Sequence, residues 1–172
     1  CLVNISDKLP LKLLDLNLEL GTKENIYQIG EPEIHELSFG LDFGTSSVKV
    51  VIGDFASDKA FAIPFLKTQG IDAYLLPSKV FESKNSLNIS NQVFSLHESP
   101  VAFRDLKLGL LANPDSTDHQ IEVIAFLSIV IQRSRAWFFQ ENHSIYKRVK
   151  CLWQLRIGLP AATALNNKFV PL

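Results

Sequence analysis

The sequence lacks an excess of either charge and has few cysteines. Its 172 residues include 17 lysines and arginines and 18 acidic residues, which gives a formal net charge of -1. A nucleic-acid-binding surface usually carries a basic stripe, so this balance argues against a nucleic-acid partner. Cys1 and Cys151 form neither a CxxC pair nor a metal-ligand spacing. We therefore expect free thiols in a reducing compartment, and a cytoplasmic location.

Methionine, a secretory signal and long hydrophobic runs are also missing. The most apolar run, IEVIAFLSIVI at 121–131, includes Glu122 and is shorter than the roughly 20 residues that cross a bilayer. No basic start is followed by an apolar run and a small-residue cleavage site. The sequence therefore predicts no membrane span. Because even an initiator methionine is absent, we expect the chain to be an edited or partial version of a longer one.

Short apolar segments predict a β meander in the first part of the chain. Residues 38–42, 48–52 and 59–66 are rich in Val, Ile and Phe and are separated by glycine, serine and aspartate turns. Strands joined by such short turns pair in the antiparallel sense. Residues 1–30 have an ambiguous pattern, in which the alternation of leucine with polar residues over 14–20 can be read as a strand. Residues 101–111 are expected to form a short helix.

The second part of the chain predicts one long helix and one more strand. An apolar pattern on most faces indicates a helix over 118–140 that packs between layers. Thr117 and Gln120 match a capping box at its start. Residues 149–160 have the pattern of a strand that stops at Pro160 and returns to the sheet beside the first hairpin. The order of elements predicts an α/β or α+β domain.

One stretch, LSFGLDFGTSSVKVVIGD at 37–54, groups polar residues in a way that favours a binding function. A strand–turn–strand with glycine at the bend can point several backbone N–H groups in one direction, and such a concavity binds anions. Hydroxyl groups and a lysine add donors, whereas an acid repels a phosphate unless a divalent cation lies between them. We therefore expect a grip on the phosphates of a Mg-nucleotide, formed by Asp42, Gly44, Thr45, Ser46, Ser47 and Lys49. From spacing alone, an ordinary hairpin with a polar turn is the alternative.

Nucleotide motifs with a fixed spacing do not match this stretch. A Walker loop requires G-x-x-x-x-G-K-[ST] before a helix, and the dinucleotide fingerprint requires G-x-G-x-x-G. Neither pattern occurs in the chain. The triplet DFG is also found in protein kinases, but the accompanying H-R-D and V-A-I-K elements are missing.

The segment GLDFGTSSVKVVIGD resembles the first phosphate-binding motif of the superfamily of actin, sugar kinases and heat-shock chaperone ATPases. That motif consists of an apolar strand, Asp-x-Gly-Thr or Ser, and a second apolar strand. The spacing from Asp42 to Lys49 is similar to that in actin and the sugar kinases. The resemblance implies an α/β fold, the ribonuclease H-like, actin-type ATPase lobe. This lobe is a β meander with a long helix and a returning strand, and the chain would form part of such a domain.

Two later stretches resemble the seventy-kilodalton heat-shock chaperones in particular. YLLPSKVF at 74–81 is similar to their PS-x-V-x-F strand, and IGLPAATALNNKF at 157–169 is similar to the strand that ends in VPA-x-F-N after a long helix. The resemblance implies that residues 37–172 are the first part of an ATPase lobe. Residues 1–36 then form an N-terminal extension of unknown role. The function implied is that of the N-terminal portion of an ATP-binding, chaperone-like ATPase.

The same resemblance implies ligands and roles. The cofactors are ATP and Mg²⁺, with Asp42 holding the metal through water and with Thr45, Ser46 and Lys49 on the phosphates. Partners are the nucleotide and, in the chaperone branch, protein substrates or co-chaperones. The second phosphate motif and the adenosine-binding glycines have no counterpart in the sequence, and no catalytic residue is assigned. Lys107 is expected to be a structural lysine of its helix. Hydrolysis is expected of the complete protein and not of residues 1–172 alone.

Two other functions stay open at the level of the sequence. A sugar or small-molecule kinase of the same superfamily is favoured by the segment GTSSVKVV at 44–51. A non-catalytic assembly module that retains the fold is favoured by the lack of a lysine that matches the catalytic lysine of the chaperones. The sequence that follows the lobe would separate these alternatives.

The remaining polar and aromatic residues are expected to have structural roles. Four histidines lie in expected loops and at helix ends without a metal-ligand spacing, and they predict surface or capping positions: His35, His97, His119 and His143. Arg133 and Arg135 are expected on a solvated face. Trp137, Phe138 and Phe139 close the long helix and are expected in the core.

Overall fold

A mixed β-sheet with one long helix packed against it forms the centre of the protein. The computed structural model describes residues 11–22, 32–83, 93–97 and 100–158. In the sheet, β1 (Glu33–Phe43), β2 (Ser47–Asp54) and β3 (Lys59–Ala62) form an antiparallel meander. The predicted meander and the mixed α/β class are therefore confirmed, although β1 begins five residues before the expected start at residue 38.

A parallel strand, β8 (Val149–Gly158), completes the sheet next to β1. The strand order is β3-β2-β1-β8, and a short strand, β4 (Leu76–Pro77), pairs with the start of β2. Parallel neighbours need a long crossover connection, usually through a helix. The predicted return of the last strand beside the first hairpin is confirmed, while Pro160, its expected end, lies outside the described residues.

Alternation along the central strands determines which face of the sheet is buried. Leu37, Phe39, Leu41 and Phe43 point to one face of β1 and are all buried. The residues between them point to the other face, as the period of two in a strand requires. On that opposite face Ile34, at the start of β1, is exposed.

The crossover helix α2 (Thr117–Glu141) covers the buried face and confirms the predicted long helix. Phe126, Val130 and Phe138 are completely buried in the core that α2 shares with the sheet. Ile124 is 64% exposed, so the apolar surface of the helix is not buried all round. Among the residues that the structure describes, no helix combines the length and hydropathy needed to cross a bilayer.

The start of α2 differs from the expected capping box. Ser116, not Thr117, is the N-cap, and its hydroxyl accepts a hydrogen bond from the backbone N–H of His119 at 3.5 Å. Gln120 donates to the carbonyl of Pro114 at 2.7 Å. The cap thus moves by one residue because Ser116 has the extended backbone that an N-cap requires, whereas Thr117 is already helical.

A second, smaller sheet and two short helices contact α2. The strands are β5 (Val80–Ser83), β6 (Val93–Ser95) and β7 (Ala102–Phe103), in the order β6-β5-β7. The expected helix over 101–111 is partly wrong, because residues 102 and 103 pair with β5 and the helix α1 is Leu106–Ala112. Helix α3 (His143–Tyr146) connects α2 to β8.

Residues 11–22 form a segment that packs on α2, and the expected strand over 14–20 is wrong. Leu13 makes a single bridge with Leu66, and residues 18–21 form a 3-10 turn. Gly21 lies so close to α2 that an added Cβ would be 2.1 Å from the carbonyl oxygen of Gln132. The alternating leucines therefore serve contact with the helix and with residues 65–67 instead of a sheet ladder.

Candidate functional site

The turn between β1 and β2 brings the residues expected to bind phosphate together. The backbone N–H of Gly44 donates to the carbonyl oxygens of Asp42 at 3.2 Å and Ser47 at 3.1 Å. A Cβ at position 44 would lie 2.5 Å from the Ser47 oxygen, a distance that side chains do not tolerate. This close approach is the reason that position 44 requires glycine. A left-handed backbone is not the reason, because Gly44 does not have a positive φ.

Asp42 and Lys49 face each other across the hairpin as register partners. The ammonium of Lys49 lies 3.3 Å from a carboxylate oxygen of Asp42, and both side chains are more than half exposed. Exposed ion pairs of this kind contribute little to stability, typically about 0–1 kcal/mol. Breaking this ion pair to bind a ligand therefore costs little free energy. The turn thus offers a ligand one carboxylate and one ammonium group.

Thr45 and Ser46 form the exposed tip of the turn. Within the described part of the chain, neither their backbone N–H groups nor their hydroxyls have a hydrogen-bond partner. Ser47 follows at the first position of β2 and is half-buried. Two backbone donors and two hydroxyls are thus available to a ligand on the outside of the hairpin.

Ser78 is hydrogen-bonded to two backbone carbonyls of this turn, a role that the sequence did not reveal. Its hydroxyl donates to the carbonyl of Gly44 at 2.9 Å, and its backbone N–H donates to the carbonyl of Ser46 at 3.0 Å. Ser78 is buried and belongs to the YLLPSKVF stretch, whose strand β4 pairs with Ser47 and Val48. The phosphate-motif stretch and the YLLPSKVF stretch are therefore in direct contact.

Lys107 also reaches the turn. Its ammonium donates to the carbonyl of Phe43 at 2.6 Å and lies 5.9 Å from the centre of the Phe43 ring. Lys107 belongs to α1, as expected, but the expectation of a purely structural lysine overlooked this position at the turn. No local pattern could have found the contact, because 64 residues separate the two partners.

A second polar cluster lies at the opposite end of β1, where His35 is buried and not at the surface as expected. Its Nδ1 is 2.8 Å from a carboxylate oxygen of Asp54, and its Nε2 is 3.0 Å from Glu33. The hydroxyls of Tyr146 and Ser57 donate to the same Asp54 oxygen at 2.7 and 2.6 Å. We refer to these five residues as the Asp54 network.

The protonation states of the Asp54 network follow from its hydrogen bonds. Burial raises the pKa of Asp54, but hydrogen bonds from Ser57, Tyr146 and His35 outweigh it and lower the pKa to about 2. Burial lowers the pKa of His35, whereas its hydrogen bonds to Glu33 and Asp54 prevail and raise it above the usual 6.5. Burial and the bond to Asp54 raise the pKa of Tyr146. We therefore expect the network to stabilise the start of β1.

Metal-binding and thiol chemistry find little support in the geometry. Over the described ranges, no three His, Cys, Asp or Glu side chains come together as a group that could hold a metal ion. Cys151 is a half-buried thiol that forms no disulfide within the described part of the chain, and Cys1 lies outside the described residues. His119 and His143 occupy the first turns of α2 and α3. The turn at 42–49 is thus the best candidate for a site that binds a ligand.

Comparison with known proteins identifies no relative of this chain. No model of a protein family matches the chain, no curated protein is similar to it, and no solved structure matches its fold.

Proposed function

We propose that this chain is the N-terminal portion of an ATP-binding, chaperone-like ATPase, and that the turn at 42–49 binds the phosphates of Mg-ATP. The observation that carries the proposal is the set of donors at and near one hairpin turn. These are the partnerless N–H groups of Thr45 and Ser46 and the ammonium groups of Lys49 and Lys107. An acid, Asp42, lies at the same turn, and it is exposed.

The topology supports the proposal at the level of the fold. An antiparallel meander followed by a helical crossover to a strand parallel with β1 is the arrangement expected of a ribonuclease H-like, actin-type lobe. In such a lobe the phosphate turn connects the first two strands. The Asp-x-Gly-Thr sequence lies at that connection here, between β1 and β2.

The donor set of the turn fits a triphosphate with its metal. Backbone N–H groups that converge at a bend, together with lysine, are suited to phosphate oxygens. Mg²⁺ keeps several waters when it binds, so a single exposed carboxylate such as Asp42 can hold it through water. When bound, the metal would neutralise charge on the phosphates. Lys107, which reaches the end of β1 from α1, would add a second cation near the turn and is our candidate for the chaperone-type lysine that the sequence alone did not identify.

The affinity of this turn on its own should be low. Charges that meet in water attract by only about 1 kcal/mol at contact distance, and all the donors at the tip are accessible to water. In the superfamily the phosphates lie between two facing turns, and the sequence contains only the first. We therefore expect residues 1–172 to bind ATP with a dissociation constant of roughly 1 mM or weaker and to show no turnover.

Calorimetry on a complete two-lobed protein that contains this chain tests the proposal. We expect Mg-ATP binding that weakens by at least about tenfold when Asp42→Asn and Thr45→Ala are combined. Asp58→Asn is the matched control, because Asp58 is an exposed acid of the next turn along the meander. Unchanged ATP binding in the double variant would mean that the stretch is an ordinary hairpin.

A further inference from the structure

A cavity of about 470 Å³ lies between the segment 11–18, residue 67 and the middle of α2. Cavities of this volume are within the range that holds small-molecule ligands. Leu11, Leu16 and Leu18 supply apolar lining, and Lys12, Lys67, His97 and Arg133 supply polar lining. None of these residues belongs to the turn at 42–49, so the cavity is separate from the proposed phosphate site.

Arg133 is the unusual residue of this cavity, because it is only 5% exposed and was expected on a solvated face. One guanidinium nitrogen, Nη2, donates to the carbonyl of Leu14 at 2.5 Å. Its Nε has no hydrogen-bond partner among the described residues. Buried guanidinium groups are normally paired with an anion, since removing an unpaired charge from water is costly.

The acid whose charge acts on Arg133, Asp15, is engaged elsewhere. The charge of Asp15 acts on Arg133, but the Asp15 carboxylate is itself ion-paired with Lys67. Lys12 is exposed at the same cavity. The lining thus contains three permanent cations and one acid, in addition to His97.

Residues 12–17, which form the wall of the cavity next to Arg133, are held in place by hydrogen bonds of their backbone groups. The N–H of Leu14 donates to the carbonyl of Phe65 at 2.9 Å, and the N–H of Lys67 donates to the carbonyl of Lys12 at 2.7 Å. The N–H of Asn17 donates to the side chain of Gln140 at 3.2 Å. A preformed cavity needs little ordering when a ligand binds, which favours affinity.

We infer that this cavity binds a small organic carboxylate, with the carboxylate on Arg133 and Lys67 and the apolar body against the leucines of residues 11–18. Guanidinium matches a carboxylate with two parallel N–H donors, and a cation beside it adds charge. The leucine lining favours an anion with an apolar part over inorganic phosphate. The role of the N-terminal segment is then to form one wall of this site.

Hexanoate is a suitable probe, with hexanol and inorganic phosphate as the matched controls. Titration followed by NMR of residues 1–172 should give saturable shifts around the cavity, with a dissociation constant on the order of 1 mM for so small a ligand. Hexanol and phosphate should each bind at least about fivefold more weakly. Equal binding of hexanol would overturn the role of the cations, and equal binding of phosphate would overturn the carboxylate assignment.

Two substitutions at exposed positions should change the affinity in opposite directions. Lys67→Ala should weaken hexanoate binding by about fivefold, because it removes a cation from the carboxylate. Asp15→Asn should strengthen binding by about twofold or more, because it removes the competing anion and releases Lys67. Lys59→Ala, at an exposed lysine of β3, is the control and should have no effect.

A third variant tests Arg133 itself. Arg133→Lys retains the charge but not the two parallel donors, and we expect about tenfold weaker binding with an unchanged circular dichroism spectrum. If this variant does not fold, the opposite effects of Lys67→Ala and Asp15→Asn still decide the question. If Lys67→Ala and Asp15→Asn do not change the affinity for hexanoate in opposite directions, the proposed site is refuted.

Discussion

The hydrogen bond from Tyr146 to Asp54 should be a measurable source of stability. Tyr146→Phe removes the hydroxyl that lies 2.7 Å from a carboxylate oxygen and leaves the ring in place. That ring packs at 4.6 Å from the ring of Phe138, measured between centroids, so the core contact is kept. A hydrogen bond to a charged group contributes about 1.5–3 kcal/mol. Asp54 keeps its bonds from Ser57, His35 and the N–H of Ala56, so we expect about 1.5 kcal/mol.

Urea unfolding at pH 7 measures this loss in the free energy of unfolding. Tyr74→Phe is the matched control, because the Tyr74 ring is 37% exposed and has no hydrogen bond within the described residues. Its effect should stay within about 0.5 kcal/mol, and the m-value should not change in either variant. If Tyr146→Phe is no more destabilising than Tyr74→Phe, the Asp54 network is not a stabilising element.

Three further outcomes can be measured by the same unfolding experiment. Because folding raises the pKa of His35, its contribution should be complete below about pH 6.5 and should disappear as the pH rises through the raised value. His35→Gln should flatten that slope, and an identical pH profile would contradict the assignment. Gly44→Ala should cost about 1–3 kcal/mol, since its Cβ meets the Ser47 oxygen at 2.5 Å, and a neutral effect would show that the turn relaxes freely. Phe126→Ala should cost about 3–5 kcal/mol, because the side chain is completely buried, and a loss below about 1 kcal/mol would contradict the packing of α2.

Local patterns in the sequence were sufficient to predict the meander, the long helix and the strand that returns beside β1. Alternating apolar residues identified the meander, and the apolar pattern of 118–140 identified α2, because strand and helix periodicities depend on neighbours along the chain. The same patterns were ambiguous in residues 14–20. Their leucines alternate as in a strand, but the partner they pack on is α2, which lies more than a hundred residues further along the chain.

The misplaced side chains all depend on contacts that are distant in sequence. His35 was expected at the surface, yet it is buried because Asp54 and Tyr146 surround it from β2 and α3. Arg133 was expected in water, yet the segment at 11–18 covers it. Lys107 reaches the turn across 64 residues. In each case a tertiary contact with a residue distant in sequence determines the environment of the side chain, and no local pattern reports such a contact.

The most direct test of the phosphate turn is an NMR titration of ¹⁵N-labelled residues 1–172 with Mg-ATP, compared with adenosine. Our account predicts saturable shifts of the backbone amides of Gly44, Thr45 and Ser46 at millimolar Mg-ATP, together with a shift at Lys107. Adenosine, which has no phosphate, should leave these amides unchanged. Tight binding would show that the site is complete in this chain and not shared with a second lobe. An absence of shifts at the turn at millimolar Mg-ATP, or equal shifts with adenosine, would contradict the proposal that this turn binds phosphate.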